Sequence, residues 1–118
     1  MIVYRKGSRT PDNLTPRPER DLEGRPGQAP GLSTSKTTPE PTTRACMINL
    51  DQLKLPLRGI PDDPSRGGTA GHVAIVPVRP DGEVDHALLA EWASSRGTSQ
   101  KHRLTEILEN AIVPGTPR

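Results

Sequence analysis

His72-Val73-Ala74-Ile75-Val76-Pro77-Val78 decides the fold of this chain. It is a near-continuous apolar run, too short for a packed helix and bounded by turn residues on both sides. Such a run suits a central strand buried on both faces. Gly67-Gly68-Thr69-Ala70-Gly71 leads into it and Pro80-Asp81-Gly82 turns the chain after it. Every other element is placed relative to this strand.

Downstream, Val84, Leu88, Leu89 and Trp92 recur at helical spacing, which predicts a helix over 84–94. Leu104, Ile107, Leu108, Ala111 and Ile112 follow the i, i+3, i+4, i+7, i+8 pattern. They predict a second helix from Ser99 or Gln100 to Ile112, ended by Pro114-Gly115. Upstream, Leu57 to Ile60 is a short extended piece, followed by the turn chemistry of Pro61-Asp62-Asp63-Pro64. Cys46 to Leu50 is a strand candidate. Asp51 to Leu55 adds one helical turn capped by Asp51 or Asn49 and stopped at Pro56. Ile2-Val3-Tyr4 reads as a strand at the start. A lone strand is of no use without partners, so the stretch after it, poor in apolar residues and carrying seven prolines from Pro11 to Pro41, is expected to be a long ordered loop with a mobile tip near Gly24-Arg25-Pro26-Gly27. The expected architecture is α+β: a small, mostly antiparallel sheet with long ordered loops and two C-terminal helices. It forms one domain over 1–118, with a Pro/Gly-rich front at 7–45, the sheet at 46–80 and the helices at 84–112.

Composition agrees with a small aliphatic core. Of 118 residues, 31% are hydrophobic, with no Phe, one Trp and one Tyr, while Gly and Pro number 11 and 14. Such a chain is not a long bundle, a coiled coil or a large α/β enzyme. Sixteen basic against 14 acidic residues give a net charge of +2, without a run of like charges. Neither a polybasic membrane anchor nor a nucleic-acid tail is visible, and the scarcity of aromatics disfavours a single-strand binder. Met1 to Lys6 is too quickly charged for a signal peptide, and no apolar run approaches a membrane span. The expected setting is a cytosol, and delivery into a target cell's cytosol by a secretion system would leave no readable mark here. Cys46 is alone, flanked by apolar residues, and reads as a small buried hydrophobe. No metal site is expected.

Three segments carry the chemistry: Tyr4-Arg5 at the end of the first strand, Gly31-Leu32-Ser33-Thr34-Ser35 after the long loop, and Gly71-His72 at the mouth of the central strand. Each has a plainer interpretation, respectively a solvated edge arginine, a turn or cap, and a structural histidine. In this order, with Asn13-Leu14-Thr15-Pro16-Arg17-Pro18 between the first two and Gly-His-x-x-Ile-x-Pro as the third, the pattern resembles compact bacterial toxin domains with the ADP-ribosyltransferase-like fold. It is most similar to type VI secretion effector toxins and to C-terminal domains of Rhs-type polymorphic toxins.

The resemblance implies NAD as substrate. Cleaving its nicotinamide–ribose bond passes through an oxocarbenium-like transition state. Arg5 would hold the diphosphate and ribose, Ser33, Thr34 and Ser35 would fix the sugar, Tyr4 would line the same pocket, and His72 would stand within it. Arg5, Ser33 and His72 are thus the catalytic candidates. Tyr4, Arg5, Ser33, Thr34 and Ser35 are the cofactor-binding candidates. A late Glu-x-Glu is missing, and Glu83 and Asp85 are the nearest acidic candidates, with a helix start as their plainer explanation. A toxin of this kind implies a cognate immunity protein or antitoxin, an unknown target macromolecule and no membrane insertion. Two other classes compete. One is a small ribonuclease toxin using His72, His86 and His102. The other is a non-catalytic interaction domain docking a partner through the Pro-rich front.

Overall fold

The computed structural model describes residues 1–41 and 43–114. Five strands, β1 (Ile2–Lys6), β2 (Leu32–Ser35), β3 (Ala45–Asn49), β4 (Leu57–Pro61) and β5 (His72–Pro77), form one sheet in the order β3-β1-β2-β5-β4. Every pairing is antiparallel. β5 lies between β2 and β4, and Val73, Ala74, Ile75 and Val76 are all buried, as the two-sided apolar run predicts. The α+β expectation is met at this level.

The sheet is curled. Leu50, just beyond β3 at one edge, packs its side chain over Gly59 of β4 at the other, where a Cβ would sit 3.0 Å from the leucine methyl. Asn49 caps the 3-10 turn Leu50–Gln52, accepting from the Asp51 N–H at 3.0 Å. Of the two expected caps, Asn49 is therefore the one used, and the turn is shorter than 51–55.

Both helices are shorter than the apolar spacing predicts. α1 (His86–Ala93) starts after Asp85, whose carboxylate accepts from the Leu88 N–H at 3.0 Å. Val84 lies outside it and pairs with Val78. α2 (Ser99–Glu109) is capped by Thr98. Ala111 and Ile112 have left the helix. Ile112 pairs with Ile48, Asn49 N–H donates to Ala111 O, and Val113 N–H donates to Met47 O, both at 2.8 Å. The exposed rim of β3 needs these backbone partners, and an extended segment both supplies them and keeps Ala111 and Ile112 buried. Gly115, expected to end the helix, lies outside the described residues.

Trp92, Leu89, Leu104 and Leu108 from the helices meet Val3, Ile48, Leu57 and Ile75 from the sheet in one apolar cluster. Trp92 is fully buried and its Nε1 donates to Thr105 Oγ1 at 3.3 Å.

The long front is ordered by polar bonds. Leu14 alone among its large apolar residues before β2 is fully buried. Asn13 Nδ2 donates to Lys6 O and Ser8 O at 3.1 and 2.9 Å, and Thr15 Oγ1 donates to Pro11 O at 3.0 Å. The 24–27 tip is pinned, contrary to expectation. Arg25 and Gln28 exchange backbone bonds of 2.9 and 2.8 Å, and the Asp63 N–H donates to Gly27 O at 2.7 Å. Gly27 has φ +77°, and a Cβ there would fall 2.5 Å from Asp63 O. The close approach that fastens the tip thus depends on glycine.

Candidate functional site

The β2–β5 register puts Ser33 opposite Ala74 and Ser35 opposite His72. Ser33 and His72 are therefore diagonal neighbours on one face of the ladder. Ser33 Oγ lies 2.6 Å from His72 Nε2. On the other side of the ring, His72 Nδ1 lies 2.7 Å from Asp62 Oδ1, and the Asp62 side chain is wholly buried. Asp62 follows directly on β4, and its N–H donates to His72 O at 2.9 Å. The β4–β5 hairpin register thus brings the carboxylate to the imidazole. Asp62 Oδ2 accepts from Thr69 N–H at 2.9 Å and from Gln28 Nε2 at 3.1 Å.

These partners fix the histidine tautomer. Gln28 Nε2 also lies 3.2 Å from His72 Nδ1, but an ionised Asp62 oxygen at 2.7 Å demands a proton on Nδ1. Gln28 therefore donates to Asp62, and Nδ1–H donates to the carboxylate. A neutral ring then has a bare Nε2, which accepts the Ser33 hydroxyl proton.

Arg5 reaches the same residue from β1. The β1–β2 ladder has one register pair, Tyr4 opposite Ser35. Beyond it the arginine side chain spans the strands: Nη1 donates to Ser33 O at 2.8 Å and Nε donates to Asn13 O. Burial pushes the Arg5 guanidinium below its ordinary value, with Asp21 opposing and Arg17 adding to the effect. It remains a cation, as arginine does in proteins. Among the described residues, its Nη2 makes no hydrogen bond.

Two adjoining cavities meet at this centre. One, of about 390 Å³, is lined by Tyr4, Arg5, Asn13, Ser35 and Lys6 among others. The second, of about 240 Å³, is lined by Arg20, Arg25, Gln28 and Gly31 among others. Arg17, Ser33 and His72 line both. Arg17 is held by Asp21, its Nε 3.5 Å from Oδ2. Across the two cavities Arg5, Lys6, Arg17, Arg20 and Arg25 outnumber Asp21 and Glu23, so the cleft is basic on balance.

The three hydroxyls do not act as a trio. Thr34 faces the interior, 3% exposed, and its Oγ1 donates to Val73 O at 2.8 Å. Strand alternation requires this once Ser33 and Ser35 face the cleft, so the Thr34 hydroxyl is spent on the backbone although the residue still lines the 390 Å³ cavity. Ser35 Oγ accepts from the Thr37 N–H at 3.0 Å in a local turn, and Tyr4 is half-buried beside it. Glu83 is exposed and Asp85 is the helix cap, so neither supplies an acid to the cleft. His86 and His102 are exposed on separate helices and line neither cavity. The three-histidine arrangement for RNA cleavage is not assembled. Cys46 is fully buried, and burial pushes its thiol upward. Among the described residues no group of three or more His, Cys, Asp or Glu is arranged to hold a metal. Nor is any described helix long and apolar enough to cross a membrane.

Sequence reasoning missed Asp62 and Gln28. Asp62 was hidden in turn chemistry, and Gln28 in a loop with no periodicity. Arg5, Ser33 and His72, by contrast, do meet at one place. No protein-family model matches the chain, and neither the curated proteins nor the solved structures compared with it contain a match.

Proposed function

We propose that this chain is a toxin-type domain of the ADP-ribosyltransferase-like fold that binds NAD and cleaves its nicotinamide–ribose bond, passing ADP-ribose to water or to a target macromolecule. One observation carries this: Arg5, Ser33 and His72, separated by up to 67 residues, converge on a two-part basic cleft. A dinucleotide has two nucleoside halves joined by a diphosphate. Two cavities joined at Arg17 suit that shape, and arginines suit the diphosphate charge. Tyr4 gives the 390 Å³ cavity an aromatic wall. Ser33 Oγ, with its proton engaged by His72, offers its lone pairs to a sugar hydroxyl and orients the ribose.

In the reaction the C1′–N bond breaks and nicotinamide departs with the bonding electrons. The acceptor bonds to C1′ and gives up its proton. The late Glu-x-Glu is missing, so His72, held by Asp62, is the base available in the cleft. A domain of this activity acts in a cytosol, its own or that of a cell it is delivered into. Its producer must hold a cognate immunity protein or antitoxin that covers the cleft.

The test is expression in bacteria with cellular NAD measured. Growth arrest and NAD loss are expected, both relieved by Arg5→Ala, Ser33→Ala or His72→Ala. A harmless chain that neither binds nor consumes NAD rejects the proposal. RNA cleavage persisting without NAD transfers it to the ribonuclease class.

A further inference from the structure

A serine hydroxyl is a weak nucleophile until an adjacent base takes its proton, and the base is effective when a third group fixes its orientation. All three parts are present here in one line. Ser33 Oγ is 2.6 Å from His72 Nε2, and His72 Nδ1 is 2.7 Å from Asp62 Oδ1. Such arrays are recognised by geometry and roles rather than by fold or chain order. The array also opens onto the cleft, since Ser33 and His72 line both cavities.

We propose that Ser33 is an activated nucleophile and that the domain hydrolyses a carboxylic ester bearing an anionic group. This goes beyond NAD cleavage and does not depend on it. Ser33 Oγ bonds to the ester carbonyl carbon while its proton passes to Nε2. The ester C–O bond then breaks, and the alcohol leaves with the proton from Nε2. Water attacks the acyl-serine, giving one proton to Nε2. The carbon–Oγ bond breaks and that proton returns to Ser33, so ester and water become acid and alcohol. Arg5, bonded to the Ser33 carbonyl at 2.8 Å, puts a cation beside the developing oxyanion. Arg17, Arg20 and Arg25 line the second cavity and outnumber its Asp21 and Glu23, which leaves a positive balance for the ester's anionic arm.

Asp62 is a positioning residue. Its buried carboxylate touches no ligand and acts through the imidazole. Gln28 and the Thr69 N–H hold its other oxygen, so it cannot swing away.

The test treats the purified chain with a fluorophosphonate. Ser33 Oγ bonds to phosphorus, the P–F bond breaks, fluoride leaves and the proton goes to Nε2. Mass spectrometry is expected to find one adduct, on Ser33, absent in Ser33→Ala. Asp62→Asn, with an unchanged circular dichroism spectrum, is expected to slow adduct formation by about 10²-fold or more by favouring the wrong tautomer. Imidazole ¹⁵N spectra read that tautomer directly, with the proton on Nδ1 in the parent chain and on Nε2 in the variant. No adduct on Ser33, labelling no faster than in the urea-unfolded chain, or equal rates in Asp62→Asn and the parent each overturn the proposal. A chain that consumes NAD and takes no adduct loses this proposal and keeps the earlier one; an adduct without NAD loss does the reverse.

Discussion

The front of the molecule, residues 7–31, and its back, residues 45–112, are ordered by different physics. In the back, fully buried Ile48, Val73, Ile75, Leu89, Trp92, Leu104 and Leu108 make an apolar cluster. Apolar burial is non-directional and tolerates small shifts. The front contributes Leu14 to that cluster, with Leu22 packed against it, and is held besides by directional bonds from Asn13, Thr15, Asp21 and Gln28. Directional bonds fix groups to within fractions of an ångström, which a reactive cleft requires. The same bonds that order the loop therefore also shape the candidate cleft. Gln28 both tethers the tip and holds the Asp62 carboxylate. A lesion in the back should lower stability throughout, whereas one in the front should loosen the cleft first.

The largest effect that can break this division is Trp92→Ala. It is expected to cost about 3–5 kcal/mol, from lost burial and the cavity left behind. Urea unfolding should show one shifted transition with front and back melting together. Leu14→Ala comes next, at about 2–5 kcal/mol. A cost well under 1 kcal/mol there would mean that the front is not part of the cooperative unit. Asn13→Ala removes the bonds to Lys6 O, which is exposed, and Ser8 O, which is part-buried, and is expected to cost about 1 kcal/mol. Its distinguishing readout is hydrogen exchange, with amides of 10–31 opening while those of 99–109 stay protected. Equal acceleration in both would erase the contrast between the regions.

How much of this was legible in the sequence follows the same division. β5 and the cores of both helices were readable because burial writes a local pattern of apolar residues. The helix ends were not. Val84 and Ile112 carry helical spacing, yet each satisfies a strand partner, Val78 and Ile48, that no local window contains. Thr34 shows the limit inside a short motif: Ser-Thr-Ser suggests three equal hydroxyls, and only a pairing register decides which one turns inward. Asp62 shows it for the site. Between two prolines and beside another aspartate it has the signature of a turn, and the β4–β5 pairing of Ile60 with Ala74 is what sets it against His72. Arg5, Ser33 and His72 were found through the order of short motifs, since their spacing along the chain carries no information about their meeting.

The smallest effect lies on the seam between the two regions, at Asp63. Its backbone N–H holds Gly27 of the front, while its carboxylate accepts from Ser65 N–H at 3.0 Å and Ser65 Oγ at 2.6 Å. The Ser65 side-chain bond, with the backbone bond and Arg66 adding to it, holds the Asp63 carboxyl below its ordinary value of 3.8. A carboxyl lowered in the fold stabilises the protein above its unfolded value, and this contribution disappears as pH falls through the lower folded value. The urea midpoint of the parent chain should therefore decline more steeply than that of Asp63→Asn, whose amide does not titrate, as pH falls below the ordinary carboxylate range. The loss should also be local. Protonation frees the 3-10 turn Pro64–Arg66 that backs the Gly27 contact, so exchange at Asp63 and Gln28 should rise before exchange in α2. An identical acid response in parent and variant would mean that backbone bonds alone fasten the tip, and the seam would then belong to the back of the molecule.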